Sequence, residues 1–166
     1  MSFADAFLPE FDNEMKTTRA ILERVPFEDP SWKPHPKSTS IGALASHVAG
    51  LAGFGTAIVT QQEINMAPKE GPPPVMAQYT TSAELLSAYD ANVASTRAGI
   101  TALQEADLMT PWTLKNGDHV VFTLPRASVI RTLMMNHIIH HRGQLSVYLR
   151  LNDVPLPSIY GPTADT

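Results

Sequence analysis

NHIIHHRGQLSVYLRL, Asn136 to Leu151, is the stretch whose reading decides the fold. Its apolar residues recur at helical spacing, and the same period runs back to Pro125, a residue suited to a first helical turn because it has no N–H to leave unpaired. The inward stripe reads Ile130, Leu133, Met134, His137, His141, Leu145 and Tyr148, with Arg131, Arg142, Ser146 and Arg150 on the other side. On this reading Arg142 faces solvent or a partner chain. His137 and His141 stand four apart, so both rings leave one face, about 5 to 6 Å apart at Cβ. Two imidazoles set among Ile130, Leu133, Leu145 and Tyr148 need partners to offset their burial, and a metal ion supplies one partner to both.

Working outward, proline and glycine divide the rest of the chain. A first helix is expected from about Ala4 to Val25, with Phe7, Phe11, Met15, Thr18, Leu22 and Val25 on one face and Pro26 and Pro30 ending it. In the loop FEDPSWKPHPKSTS, Trp32 is expected to fold back on the bundle, and Ser38, Thr39 or Ser40 to cap the next helix. That helix runs from about Ile41 to Gln61 and carries His47 beside its apolar face. Gly50, Gly53 and Gly55 within it each cost about 1 kcal/mol relative to alanine unless a neighbour packs close, so they mark a tight contact. A third helix follows the Pro72–Pro74 run, from Ser82 to near Asp107. Between it and the last helix, PWTLKNGDHVVFTLP places Asn116-Gly117, a type I′ turn signal, between alternating segments. The expected fold is all-α: one four-helix-bundle domain over residues 1–166, with a small β-hairpin between helices three and four.

Composition removes several function classes. Twelve Lys and Arg against sixteen Asp and Glu give a net charge of −4 with no basic run, which disfavours a nucleic-acid partner. No cysteine is present, so any metal must be held by nitrogen and oxygen. The acidic start MSFADAFLPEFDNEMK does not read as a signal peptide, and a cytoplasmic location is expected. Ile41 to Val59 is long and weakly polar, but His47 and four glycines argue against a membrane span.

His47 is the candidate third ligand, since its place near the middle of the second helix lets it meet the pair. A lone inward histidine is commonly a hydrogen-bonded core residue, and His140, three from His137, is an alternative to His141 or a group that bonds nearby. His35 and His119 read as surface residues. Three neutral imidazoles with no fourth protein ligand make an open site. Zn, Ni, Fe, Co and Cu all suit such donors.

The segment NHIIHHRGQLSVYLRLNDVPLPSIYGP, Asn136 to Pro162, with its H-x3-H-R-G-Q-L core and closing V-P-x4-Y-G, resembles the C-terminal signature of the DinB/YfiT-like family. SIGALASHVAG resembles the same family's N-terminal histidine position. The resemblance implies an up-down-down-up four-helix bundle, commonly a homodimer, holding a divalent metal, Zn or Ni foremost, through His47, His137 and His141, with His140 at a non-ligand position. It also implies a thiol-dependent transferase or isomerase using a low-molecular-weight thiol cosubstrate and a small-molecule electrophile. Where the family has glycine at the end of the last helix, Asn152-Asp153 stands, and Asn152 is expected to take the left-handed conformation. Gln144 and Tyr148 are candidates for orienting the reacting species, against plainer roles as a helix-to-helix hydrogen bond and a core side chain. The rivals are a metal-binding stress or scaffold protein without turnover, and a metal-dependent hydrolase. The hydrolase would want a carboxylate base, which only Glu14 could supply.

Overall fold

The computed structural model describes residues 2–165, which form four helical runs and one small three-stranded sheet. Helix α1 spans Phe3–Leu22, α2 Ile41–Thr60 and α3 Ser82–Ala102. The fourth run, α4, is composite: α-helical over Arg126–Val129, π-helical over Ile130–Met135 and α-helical again over Asn136–Leu151. Ser2 opens α1 with a reciprocal cap to Asp5, and Ser40 opens α2 by accepting from the Ala43 N–H. Two ends come earlier than the periodicity suggests. α1 stops at Leu22, although Val25 beyond it is still buried, and α3 stops at Ala102, with a separate 3-10 turn at Glu105–Asp107.

Strands β1 (Glu63–Asn65), β2 (Pro111–Asn116) and β3 (His119–Pro125) lie in that order, β1 parallel and β3 antiparallel to β2. β1 carries too short a pattern to stand out in the sequence. Asn65 fastens it: its side chain accepts from the Gly117 N–H at 2.9 Å and donates to the Gly117 carbonyl at 3.0 Å. The expected type I′ turn at Asn116-Gly117 does not form. Asn116 stays paired with His119, and of the turn residues only Gly117, at φ 63°, has positive φ.

α2 is the central helix. It is long and apolar enough to cross a membrane by length and composition, yet 61% of that window is buried inside the protein. Its glycines explain how α3 approaches. A Cβ on Gly53 would meet the Asn92 amide at 2.7 Å, and one on Gly55 would meet Thr96 Cγ2 at 2.4 Å. Asn92 and Thr96 use that proximity to donate to the Ala49 and Ala52 carbonyls at 3.0 and 2.5 Å. At the end of α2, the buried Arg126 guanidinium donates to the Ile58 carbonyl and, at 2.7 Å, to that of Gln61, where the helix runs out of its own donors.

α4 departs from the expected stripe. Its deepest residues are Val129, Ile130, Met134, Met135, Ile138, Arg142, Leu145 and Leu149, whereas Leu133, His137, His141 and Tyr148 are half-buried along one flank. Ile130, Met134, Ile138 and Arg142 recur every four residues, a slower winding than 3.6 per turn, and the π-helical segment absorbs the difference. Arg142 therefore points inward, against the solvent or partner face expected for it. It is 1% exposed and pairs with the buried Glu14 carboxylate at 2.7 Å. The Tyr160 hydroxyl donates to Glu14 at 2.9 Å and accepts from Arg142 at 2.6 Å, so the C-terminal segment closes over the pair. At the end of α4 the left-handed residue is Asp153, at φ 56°, and not Asn152. The Val154 N–H bonds the Leu149 carbonyl and the Asp153 N–H that of Arg150, completing a Schellman motif without glycine.

Candidate metal centre

α2 contributes His47, and α4 contributes His137 and His141 from the turn just past its π-helical segment. The three rings meet edge to face or tilted, with centroids 5.3 Å (His47–His137), 4.6 Å (His47–His141) and 4.7 Å (His137–His141) apart. One ligand nitrogen from each lies within 4.8 Å of the others. Three nitrogens sharing one ion at about 2.0–2.1 Å stand about 3.3 Å apart in tetrahedral geometry, within the spread these nitrogens show. The three imidazoles could therefore hold a metal ion.

The electrostatics favour neutral rings. Desolvation, then the charges of His141 and His137, push the His47 pKa down from 6.5 to about 4. Desolvation leads for His137 and His141 too, lowering both, with a hydrogen bond to the Leu133 carbonyl and one to Gln144 respectively pulling the other way. Lone pairs are thus free at neutral pH, as ligation requires. Two of the rings are oriented by neighbours. Gln144 Oε1 sits 2.7 Å from His141 Nδ1, so Nδ1–H donates to it and the lone pair is left on Nε2. The Leu133 carbonyl holds the His137 ring. The His47 ring makes no hydrogen bond to protein among the described residues, and it is the one that a shared ion would satisfy.

His140 lies 4.9 Å from the His141 ring and is exposed, outside the set of converging nitrogens. Tyr148 is half-buried and packs edge-on against Trp32, with centroids 5.7 Å apart. Glu14 is held by Arg142 and Tyr160, and among the described residues no carboxylate joins the three imidazoles. His35 and His119 are exposed.

What the sequence reading missed is the wall around the histidines. Two cavities flank them. One, of about 160 Å³, is lined by His47, His137, Leu51, Phe54, Leu114, Leu133, Met66 and Met76. The other, of about 340 Å³, is lined by His47, His141, Thr39, Ala43, Leu44, Gln78 and Met76. Met76 belongs to both. It comes from the proline-rich segment between β1 and α3, which is pinned to α2 where the Ser46 hydroxyl accepts from the Tyr79 N–H at 3.1 Å. Gly50 makes room for it, since a Cβ there would lie 2.4 Å from Met76 Cε. Of these features only Gly50 carried a signal, and it read as a helix-to-helix contact.

Comparison with known proteins gives a uniform answer. The family model described as DinB superfamily matches residues 10–145. YrdA, an uncharacterised protein of Bacillus subtilis, is 25% identical over 169 residues, covering 97% of this chain and 90% of its own. A DinB-like protein from Bacillus cereus superposes with a TM-score of 0.69 at 21% identity, covering 94% of this chain and 97% of the other. A second, YjoA from Bacillus subtilis, superposes at 0.67 with 20% identity, covering 92% and 96%. With the family model spanning most of its length and the same fold in its structural neighbours, this chain belongs to the DinB superfamily.

Proposed function

We propose that the protein is a metal-dependent enzyme in which His47, His137 and His141 hold one divalent ion, Zn or Ni before Fe, Co or Cu, within a bundle of up-down-down-up order. Its substrates on this reading are a low-molecular-weight thiol and a small electrophile. The observation that carries the reading is three converging, neutral imidazoles with a cavity on either side of them. A bound divalent ion would lower the pKa of a coordinated thiol or water, supplying a nucleophile at neutral pH in a chain that has no cysteine.

The chain's own residues do the rest. Gln144 and the Leu133 carbonyl fix the His141 and His137 rings, so ligand orientation is set before the ion arrives. Met76, Phe54 and Leu51 keep water from one side, while Thr39 and Gln78 offer polar contacts on the other. With no carboxylate at the centre among the described residues, the thiol proton would pass to solvent through the polar side. The same lack speaks against hydrolysis assisted by a carboxylate base, and the flanking cavities speak against a metal held only to brace the fold.

Metal analysis of protein purified without chelators is expected to give about one divalent ion per chain, and His47→Ala to remove most of it with the fold intact by circular dichroism. Thiol transfer to a panel of small electrophiles should then appear in the loaded protein and vanish on chelation. A wild-type preparation that neither carries nor takes up a divalent ion would refute the reading.

A further inference from the structure

We infer that the 160 Å³ cavity beside His47 and His137 is a binding site for a compact apolar group, the size of a benzene ring or a branched five- or six-carbon chain, carried by the electrophilic substrate. The assignment rests on reading the centre as a small-molecule enzyme, but its evidence is separate. Apart from the two imidazoles, every lining side chain is apolar: Leu51 and Phe54 from α2, Leu133 from α4, Leu114 from β2, and Met66 and Met76 from the segments around β1. A water molecule needs two to four polar partners, which that wall does not offer, and a dry apolar cavity of roughly 150 Å³ is known to accept benzene. Two of its walls are methionines, whose unbranched thioethers adapt to the outline of a guest.

The small sheet gains a purpose here. β2 presents Leu114 to the cavity, and β1, tied to the turn by Asn65, delivers Met66 beside it. The two cavities share His47 and Met76 and differ in polarity, Thr39 and Gln78 appearing only in the wider one. The polar cosubstrate is thereby directed to the wider side, and the apolar group to the dry one. An acceptor without such a group, or with a charge in that place, would be bound poorly, because the lining has no group to satisfy it.

The test uses toluene as probe and the full-length protein. In metal-free protein, ligand-detected NMR should show saturable toluene binding, and Leu114→Phe and Leu133→Phe, which fill the cavity, should each weaken it at least about tenfold, the order expected for losing the burial of a phenyl-sized group. In protein loaded with Co(II), the bound toluene protons should relax markedly faster than in Zn(II)-loaded protein, since the guest lies against two of the ligand rings. Absence of saturable binding to wild type, or binding unaffected by both filling variants, overturns the assignment. Toluene binding without Co(II) relaxation places the guest elsewhere and overturns it as well. If neither ion binds at all, the enzyme reading of the preceding section fails, while the metal-free titrations still decide the pocket.

Discussion

Replacing Arg142 with methionine removes the inward cation of α4 while keeping much of its bulk. Arg142 and Glu14 are 1% and 6% exposed, so the substitution strands a buried carboxylate whose remaining side-chain partner is the Tyr160 hydroxyl. Breaking a buried ion pair from one side costs about 3–5 kcal/mol, because the surviving charge keeps its desolvation cost and loses its counter-charge. For a chain of this length each kcal/mol moves the melting temperature about 2–4 °C, so Arg142→Met should melt roughly 6–20 °C below wild type. Glu14→Gln should cost less. Arg142 would still donate to the Glu14 carbonyl at 3.1 Å, to Thr18 at 3.3 Å and to Tyr160 at 2.6 Å. The double variant, with neither charge left, should recover a good part of the loss. The assay is chemical and thermal unfolding of metal-free protein, which keeps the histidine centre out of the comparison, followed by Co(II) titration of whatever folds. A loss below about 1 kcal/mol for Arg142→Met, or a double variant no better than the single, would refute the account of this pair.

Other perturbations separate the parts of the site. Gln144→Ala should leave the melting temperature of the metal-free protein nearly unchanged yet weaken metal affinity about 10- to 100-fold, the usual loss when a ligand's orienting partner goes, and equilibrium competition with a chromophoric chelator reads it. Gly50→Ala and Gly55→Ala should diverge in urea unfolding. The first meets only the flexible end of Met76 and gains helix propensity, so it should be neutral or stabilising by up to about 1 kcal/mol, whereas the second runs into buried, β-branched Thr96 and should cost about 1–3 kcal/mol. The pH dependence has a definite sign. The folded-state pKa of His47 lies at about 4, below its ordinary 6.5, so between those values the unfolded chain takes up a proton that the folded chain refuses. Metal-free protein should therefore lose stability as pH falls from about 6.5 toward 4 and be insensitive to this group above that window, as denaturant midpoints across pH will show.

The pairing of His137 with His141 was legible because it depends on local arithmetic: a four-residue spacing sets two rings on one helical face whatever the rest of the chain does. His47 needed more than spacing, since its place on α2 allowed the meeting without requiring it. Arg142 was misread for a physical reason. A charged residue one position past His141 falls outside a stripe wound at 3.6 residues per turn, and neither the π-helical segment nor Glu14, 128 positions away in the chain, leaves a mark in the local pattern. The hairpin turn failed similarly, with Asn65 holding Gly117 from another strand and the pairing running on through Asn116. Most of the cavity wall left no such mark, because Met76 is brought to the histidines by a proline-rich connection and Leu114 by a strand paired with β1, and no periodicity describes either path.

The same winding that hid Arg142 also bears on what the centre can do. With the histidines at the middle of the buried stripe, any ion would be enclosed by Ile130, Met134 and Leu145, and a small molecule would have to displace core side chains to reach it. The π-helical segment turns that position over to Ile138 and Arg142 and sets His137 and His141 on the flank, half-buried, where two cavities reach them. Arg142 then acts as the counterweight: its bonds to Glu14, Thr18 and Tyr160 hold the helix at this rotation from the side opposite the histidines. A segment wound regularly would bury the three imidazoles; the slower turn, held by a buried ion pair, leaves them half-buried beside the two cavities. Irregular helical turns are found frequently at functional sites, and here the turn carries the wall residue Leu133 and ends two residues before the candidate His137.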